Sequence, residues 1–316
     1  MYKPFGAASS FNPRTFGKRG LAARVWQYRE LYLILLLPLS IFIMFNYIPM
    51  YYVKWAFTNY GETIAANVKF IGLDNFIRLF NNSDFIRALQ NTLMISFYSL
   101  AWGFPVPIML ALLLDEVVFP WYKKTIQTIV FFPHFLSIVV IASIWYMVLA
   151  PQDSINAQIA GLLGVEPTYF FAESRYIRTL LVGIGIWQGA GYSAIIYIAA
   201  LSNVDVSMFE AARIDGASRI KQAIYIKLPA IKPTIIIMLI LSLSQILNVF
   251  DNVIVIATPV VFDKADVIMT LAYRTGIQDM KLGYGMAVSL FKAVFSLILV
   301  LGSNRLARAI GENGII

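Results

Sequence analysis

Six long apolar stretches constrain this chain more than any other feature. A helix needs about 20 apolar residues to cross the hydrocarbon core of a bilayer. Leu31–Tyr52, Asn91–Leu114, Thr125–Ala150 and Thr179–Asn203 contain no Asp, Glu, Lys or Arg. Pro233–Phe262 holds one acid, Asp251, and Leu282–Asn304 one base, Lys292. The predicted fold is therefore all-α and integral to a membrane, with six transmembrane helices. It places a basic tail at 1–30, a six-span domain at 31–304 and a second tail at 305–316. A soluble domain is about 45–50% apolar and about 25% charged. This chain is 59% hydrophobic and 13% charged, which excludes disorder.

The segments between the spans predict the orientation. The tails, 115–124 and 204–232 together carry fifteen Lys and Arg against seven Asp and Glu. The segments 53–90, 151–178 and 263–281 carry nine of each. The whole excess of positive charge thus lies on one side, which the positive-inside rule makes cytoplasmic. Both termini are expected there. The charge speaks for topology and contact with anionic lipid at the basic tail, not for a nucleic-acid partner. The first span is read as retained, because its apolar run is too long for a signal peptide and no small-x-small site follows it.

Several chemistries are excluded. There is no cysteine, so no disulfide, thiolate metal site or cysteine nucleophile. The single histidine, His134, excludes a histidine metal cluster. It follows Pro133 and is expected to bond between helices rather than carry protons. No Gly-x-x-x-x-Gly-Lys-Ser/Thr occurs, so no P-loop holds ATP here. No inverted repeat marks a secondary-transporter fold.

The cytoplasmic segment 204–232 carries the most information. Asp205 or Ser207 suits an N-cap, so Met208–Asp215 is predicted as a short helix. Gly216 stands where that helix should end and takes positive φ at little cost. Ser218 suits the cap of a second helix reaching about Lys227, and Pro229 and Pro233 punctuate the next span. Met208, Phe209, Ile214, Ile220, Ile224 and Ile226 give the loop an apolar face wanting a partner.

These residues resemble a known family. Glu210-Ala211-Ala212, three residues, Gly216, nine residues, Ile226, one residue and Leu228-Pro229 match the pattern of the permease subunits of binding-protein-dependent ABC importers. The resemblance implies the ABC importer type I permease fold. It also implies that Glu210, Ala211, Ala212 and Gly216 contact a cytoplasmic ATPase. Asp215, Ile226, Leu228 and Pro229 complete that coupling segment. Phe70-Ile71-Gly72-Leu73, Asn75-Phe76, Asn91-Thr92, Trp187 and Gly191 look like the carbohydrate-importer branch. Phe132-Pro133-His134-Phe135 and Gly164–Phe170 resemble the sub-branch that imports polysaccharides and complex oligosaccharides.

What the resemblance implies is a permease subunit without covalent chemistry or a cofactor of its own, in a bacterial inner membrane. ATP and Mg would be bound by two partner ATPases. A second permease subunit and an extracytoplasmic solute-binding protein would complete the assembly. An oligo- or polysaccharide is the implied cargo, with an acidic, alginate-like sugar the leading expectation and a neutral oligosaccharide the alternative. An ion-coupled secondary sugar transporter is the more distant alternative, which the coupling segment opposes.

Polar groups inside spans are costly and normally face protein or water. Gln245, Asn248 and Asn252 lie at helical spacing beside Asp251 and predict one polar face on the fifth span. Trp187, Gln188 and Tyr192 form a similar group on the fourth. Both are candidates for the sugar path, since hydroxyls need amide and carboxylate partners. Both also suit hydrogen bonds between helices. Lys292 is read either as a partner of Asp251 or as a group serving an anionic substrate.

Overall fold

The computed structural model describes Trp26, residues 28–63 and residues 67–309. Most of the basic tail, with its expected lipid contact, and the last seven residues lie outside that range. Among the described residues there is no β-strand, only isolated bridges at Thr58–Phe70 and Tyr60–Thr63. The described residues fall into two compact units, one up to Lys54 and one from Trp55 onward.

The first unit is one long apolar helical run. α1 (Arg29–Phe42) continues through a π turn at Ile43–Tyr47 into a 3-10 stretch at Ile48–Phe57. Pro38 lies inside it, and Ser40 and Asn46 return their side-chain donors to the Leu37 and Phe42 carbonyls. A helix apolar all round suits lipid or another apolar partner.

In the second unit, α2 (Asp74–Phe80) precedes the second span. That span begins eight residues before its expected start. α3 (Ser83–Gly103) is capped by the Asn82 side chain, which accepts from the Asp84 N–H at 2.8 Å. Asp84 and Arg87 hid this outer turn from a hydropathy reading. After a break at Phe104, α4 (Pro105–Asp115) completes the span.

The third span is bent, not straight. α5 (Pro120–Phe131) runs through a 3-10 turn at Phe132–Phe135 and meets α6 (Ile138–Leu149) at 107°. Pro133 removes a backbone donor there, and Ser137 caps the restart through the Val140 N–H. α7 (Ile155–Leu163) follows. The fourth span, α8 (Ser174–Leu201), is unbroken.

After the loop at 202–231, α11 (Lys232–Gln245) ends at the polar run, and α12 (Phe250–Ile256) restarts beyond it. The polar residues therefore do not form one continuous helical face, as their spacing predicted; they surround a break. α13 (Ile268–Tyr273) and the last span, α14 (Leu282–Ala309), complete the unit. Among the described residues four helices are long and apolar enough to span a membrane, and up to six if each bent pair counts as one.

One buried cluster joins Ile95, Ile141, Leu181, Ile184, Val253 and Ile256 near the broken spans. Another joins Ala111, Ala194, Tyr197, Leu201 and Ile231, drawing spans two, four and five together toward the loop. Gly191 permits the closest approach between α8 and α5, since a Cβ there would meet the Val130 carbonyl.

Candidate coupling surface and membrane path

The loop forms because its ends are fully capped. At the foot of α8, Ser202 and Asn203 donate to the Ile198 and Ala199 carbonyls at 2.9 and 3.0 Å, satisfying groups the helix leaves free. The Asp205 carboxylate then accepts the Ser207 N–H at 2.9 Å and starts α9 (Val206–Ile214). That bond holds the carboxyl below its ordinary pKa. The helix begins two residues earlier than expected and ends one earlier, on the predicted cap.

Its C-terminus is a Schellman closure. The Ala217 N–H donates to the Ala212 carbonyl at 2.9 Å, and the Gly216 N–H to Arg213 at 3.1 Å. Gly216 sits at φ +71°. Ser218 then caps α10 (Arg219–Gln222), which continues through a π turn at Ala223–Lys227 into Leu228–Ala230. This second arm meets α11 at 66°. Gln222 is buried and donates to the Ala217 carbonyl at 2.9 Å, bracing the turn from inside.

Glu210, Ala211, Asp215 and Gly216 are exposed and Ala212 is half-buried. Around them Val206, Met208, Ile214 and Ile220 are exposed apolar side chains, with Ile214 at 87%. Two carboxylates, three small residues and an apolar rim form a protruding surface suited to a cleft in another protein. Ile226 and Leu228 are half-buried on the second arm and Pro229 is exposed, so these three shape the return to the membrane.

Sequence reasoning passed over the groups that seat this arm. Lys227 is buried, and its ammonium lies 2.6 Å from Asp115 and 2.5 Å from Glu116, at the end of α4. The usable signal was two acids at the C-terminus of a span on the otherwise basic side.

Within the membrane the candidate residues divide. Trp187, Gln188 and Tyr192 pack against the break in the third span. Gln188 donates to the Leu136 carbonyl at 3.4 Å, Tyr192 stacks on His134 with centroids 3.9 Å apart, and Trp187 meets Trp145 edge-on at 5.5 Å. A broken helix leaves carbonyls that need donors where no water reaches, and Gln188 supplies one. His134 is a ring partner between helices.

Gln245, Asn248 and Lys292 form a chain: Lys292 donates to the Asn248 side-chain carbonyl, and the Asn248 amide to Gln245. The expected pairing of Lys292 with Asp251 is not what the structure has. The break after Gln245 turns Asn248 toward the last span and leaves Asp251 exposed on the next helix. Among the described residues no carboxylate lies within ion-pair distance of Lys292. Gln245 and Asn252 line a cavity of about 310 Å³, with Ser99, Ser193 and Ser242. The positions that carried the carbohydrate-branch resemblance in the second span have structural roles. Asn91 donates to the Asp266 carbonyl at 2.9 Å, and Thr92 accepts the Ile268 N–H at 2.9 Å.

Residues 103–312 match the family described as the binding-protein-dependent transport system inner membrane component. The chain belongs to that family. The chain is 37% identical over 300 residues to the polygalacturonan/rhamnogalacturonan transport system permease protein YteP of Bacillus subtilis, covering 94% of each. Protein LplB of the same organism is 38% identical over 288 residues, 90% of each. A crystal structure of a bacterial ABC transporter involved in the import of the acidic polysaccharide alginate contains a chain similar at TM-score 0.85 and 36% identity. That match covers 92% of this chain and 99% of that one. A second structure, of the alginate transporter with an alginate pentasaccharide-bound periplasmic protein, matches equally well.

This chain is thus a sugar ABC importer permease subunit: a multi-pass membrane component without an ATP site of its own. The fold expected from the sequence stands, and so does the carbohydrate assignment.

Proposed function

We propose that this subunit forms half of the path by which an acidic oligosaccharide enters a bacterial cell. A second permease subunit forms the other half. Two cytoplasmic ATPases bind ATP and Mg, and an extracytoplasmic binding protein delivers the sugar. Both termini face the cytoplasm. Glu210, Ala211, Ala212, Asp215 and Gly216 dock one ATPase, and Ile226, Leu228 and Pro229 tie the docked helix to the fifth span. The path runs past Gln245, Asn248, Asp251, Asn252 and Lys292, with the free ring faces of Trp187 and Tyr192 as walls for sugar C–H surfaces.

The observation that carries the acidic assignment is Lys292. A cation within a span costs about 3 kcal/mol unless an anion or water meets it. Among the described residues its one hydrogen-bond partner is an amide oxygen, that of Asn248. A uronate carboxylate in transit would complete it. The relatives named for alginate and polygalacturonan agree with this reading.

The test uses the complete complex in proteoliposomes, with its binding protein loaded with uronate or neutral oligosaccharides. The uronates are expected to be imported and to stimulate ATP hydrolysis. Lys292→Met should lower uronate import about tenfold, the factor of one lost charge-assisted bond, and leave ATPase copurification unchanged. Preferential import of neutral sugars by the wild type would overturn the acidic assignment and favour the neutral alternative.

A further inference from the structure

Asp115 and Glu116 break a local rule. They close the C-terminal end of α4, where the helix dipole favours cations. What offsets them comes from other elements. Lys227, whose side chain is only 6% exposed, lies within 2.6 Å of both. Arg219 stands 3.4 Å from Glu116, and Lys123 stands 3.9 Å from Asp115. Sequences depart from local preference where function requires it.

The placement of Lys227 suggests that function. Its ammonium also lies 5.7 Å from the ring centroid of Phe209, which neighbours Glu210 on α9. One buried cation therefore touches the protruding helix on one side and the end of the second span on the other. From there α4 runs to the break at Phe104, and Gly103, Phe104 and Pro107 form part of the wall of the 310 Å³ cavity. The chain itself connects α9 only to the fourth and fifth spans. The ion cluster adds the second.

We propose that Asp115, Glu116 and Lys227 form a transmission contact that hands movement of α9 to the C-terminal half of the second span, and so to the cavity wall. The three are positioning residues, touching neither ATP nor sugar. The proposal rests on α9 being the ATPase-docking helix. A short ion cluster built on a buried lysine suits the task because it holds its partners together with little slack while both elements move as rigid bodies.

The test separates docking from transmission by measuring ATPase copurification and sugar imported per ATP hydrolysed in the reconstituted complex. Lys227→Met should retain the ATPases but lower import per ATP about tenfold, while Lys227→Arg keeps most of it. Loss of copurification in the Glu210-Ala211-Ala212 charge reversal, described below, checks the docking reading separately. A second variant guards against misfolding of the first. The chain has no cysteine, so Asp115→Cys with Lys227→Cys, in cysteine-free partners, can be joined by a short bis-thiosulfonate. The joined form should import near the wild-type ratio, and reduction should abolish the gain. Wild-type coupling in the unjoined double variant, or a loss that joining does not repair, overturns the proposal.

Discussion

The loop proposed to dock the ATPase and the membrane region proposed to carry the sugar solve opposite problems. The loop projects from the bundle, so every element in it is specified locally: Asp205 and Ser218 start helices, Gly216 ends one, and Gln222 braces the turn. The membrane region is built from spans, where lipid offers backbone groups no hydrogen-bond partner. Its polar side chains spend much of their bonding capacity on the protein itself, as Gln188 does at Leu136 and Asn248 does at Gln245. A surface that must dock with a partner can be read residue by residue. A polar group in a span always has two candidate employers, the fold and the cargo.

The sharpest way to break this comparison is to disable one region and ask whether the other notices. Replacing Glu210, Ala211 and Ala212 together by Lys adds long cations to a close-packed contact and reverses the charge of Glu210. We expect ATPase copurification from solubilised membranes to vanish, an effect of at least ~2 kcal/mol at the centre of an interface. The permease pair should stay assembled. Retention of the ATPase at wild-type level would remove α9 from the docking surface.

A smaller effect is expected at Gly216. A β-branched residue at φ +71° is strained by about 1–3 kcal/mol. Gly216→Val should therefore fray the end of α9 and weaken ATPase binding without touching assembly of the bundle. Gly216→Asn, which tolerates this backbone region better, should recover part of the loss. Equal behaviour of Val and Asn in a copurification titration would show that backbone conformation is not what Gly216 contributes.

How much of this was legible in the sequence follows the same division. The six spans, the two caps and the coupling motif were readable because each depends on residues within a few positions of one another. The breaks in the third and fifth spans were not. Pro133 marked the first, but not its 107° angle or the close passage of α8 beside it at Gly191. Nothing local marks the second, where Gln245 to Asn248 read as a helical face and instead form a turn. The pairing of Lys292 with Asn248 rather than Asp251 followed from that turn. Lys227 with Asp115 and Glu116 was hidden for another reason: Lys227 and Glu116 are 111 residues apart, and packing of spans two, four and five brings them together.

The smallest predicted effect probes the division at a single hydrogen bond in each region. Gln188→Leu removes the donor to the Leu136 carbonyl at the break in the third span. A single bond of this kind contributes about 1 kcal/mol, and an orphaned carbonyl in a span adds to the loss. We expect a lower melting temperature of the solubilised permease with import and ATPase binding kept. At Asp205 the cap is fully exposed, so Asp205→Ala should leave the melting temperature alone and weaken only ATPase binding. Because the Asp205 carboxyl is held below its ordinary value of 3.8, its contribution is complete above that pH and is lost as pH falls through the lowered value. ATPase binding should therefore show no dependence on this group from neutral pH down to about 4. A Gln188→Leu variant that lost sugar import at unchanged stability would move Gln188 from the fold to the cargo, and would show that the broken third span lines the path.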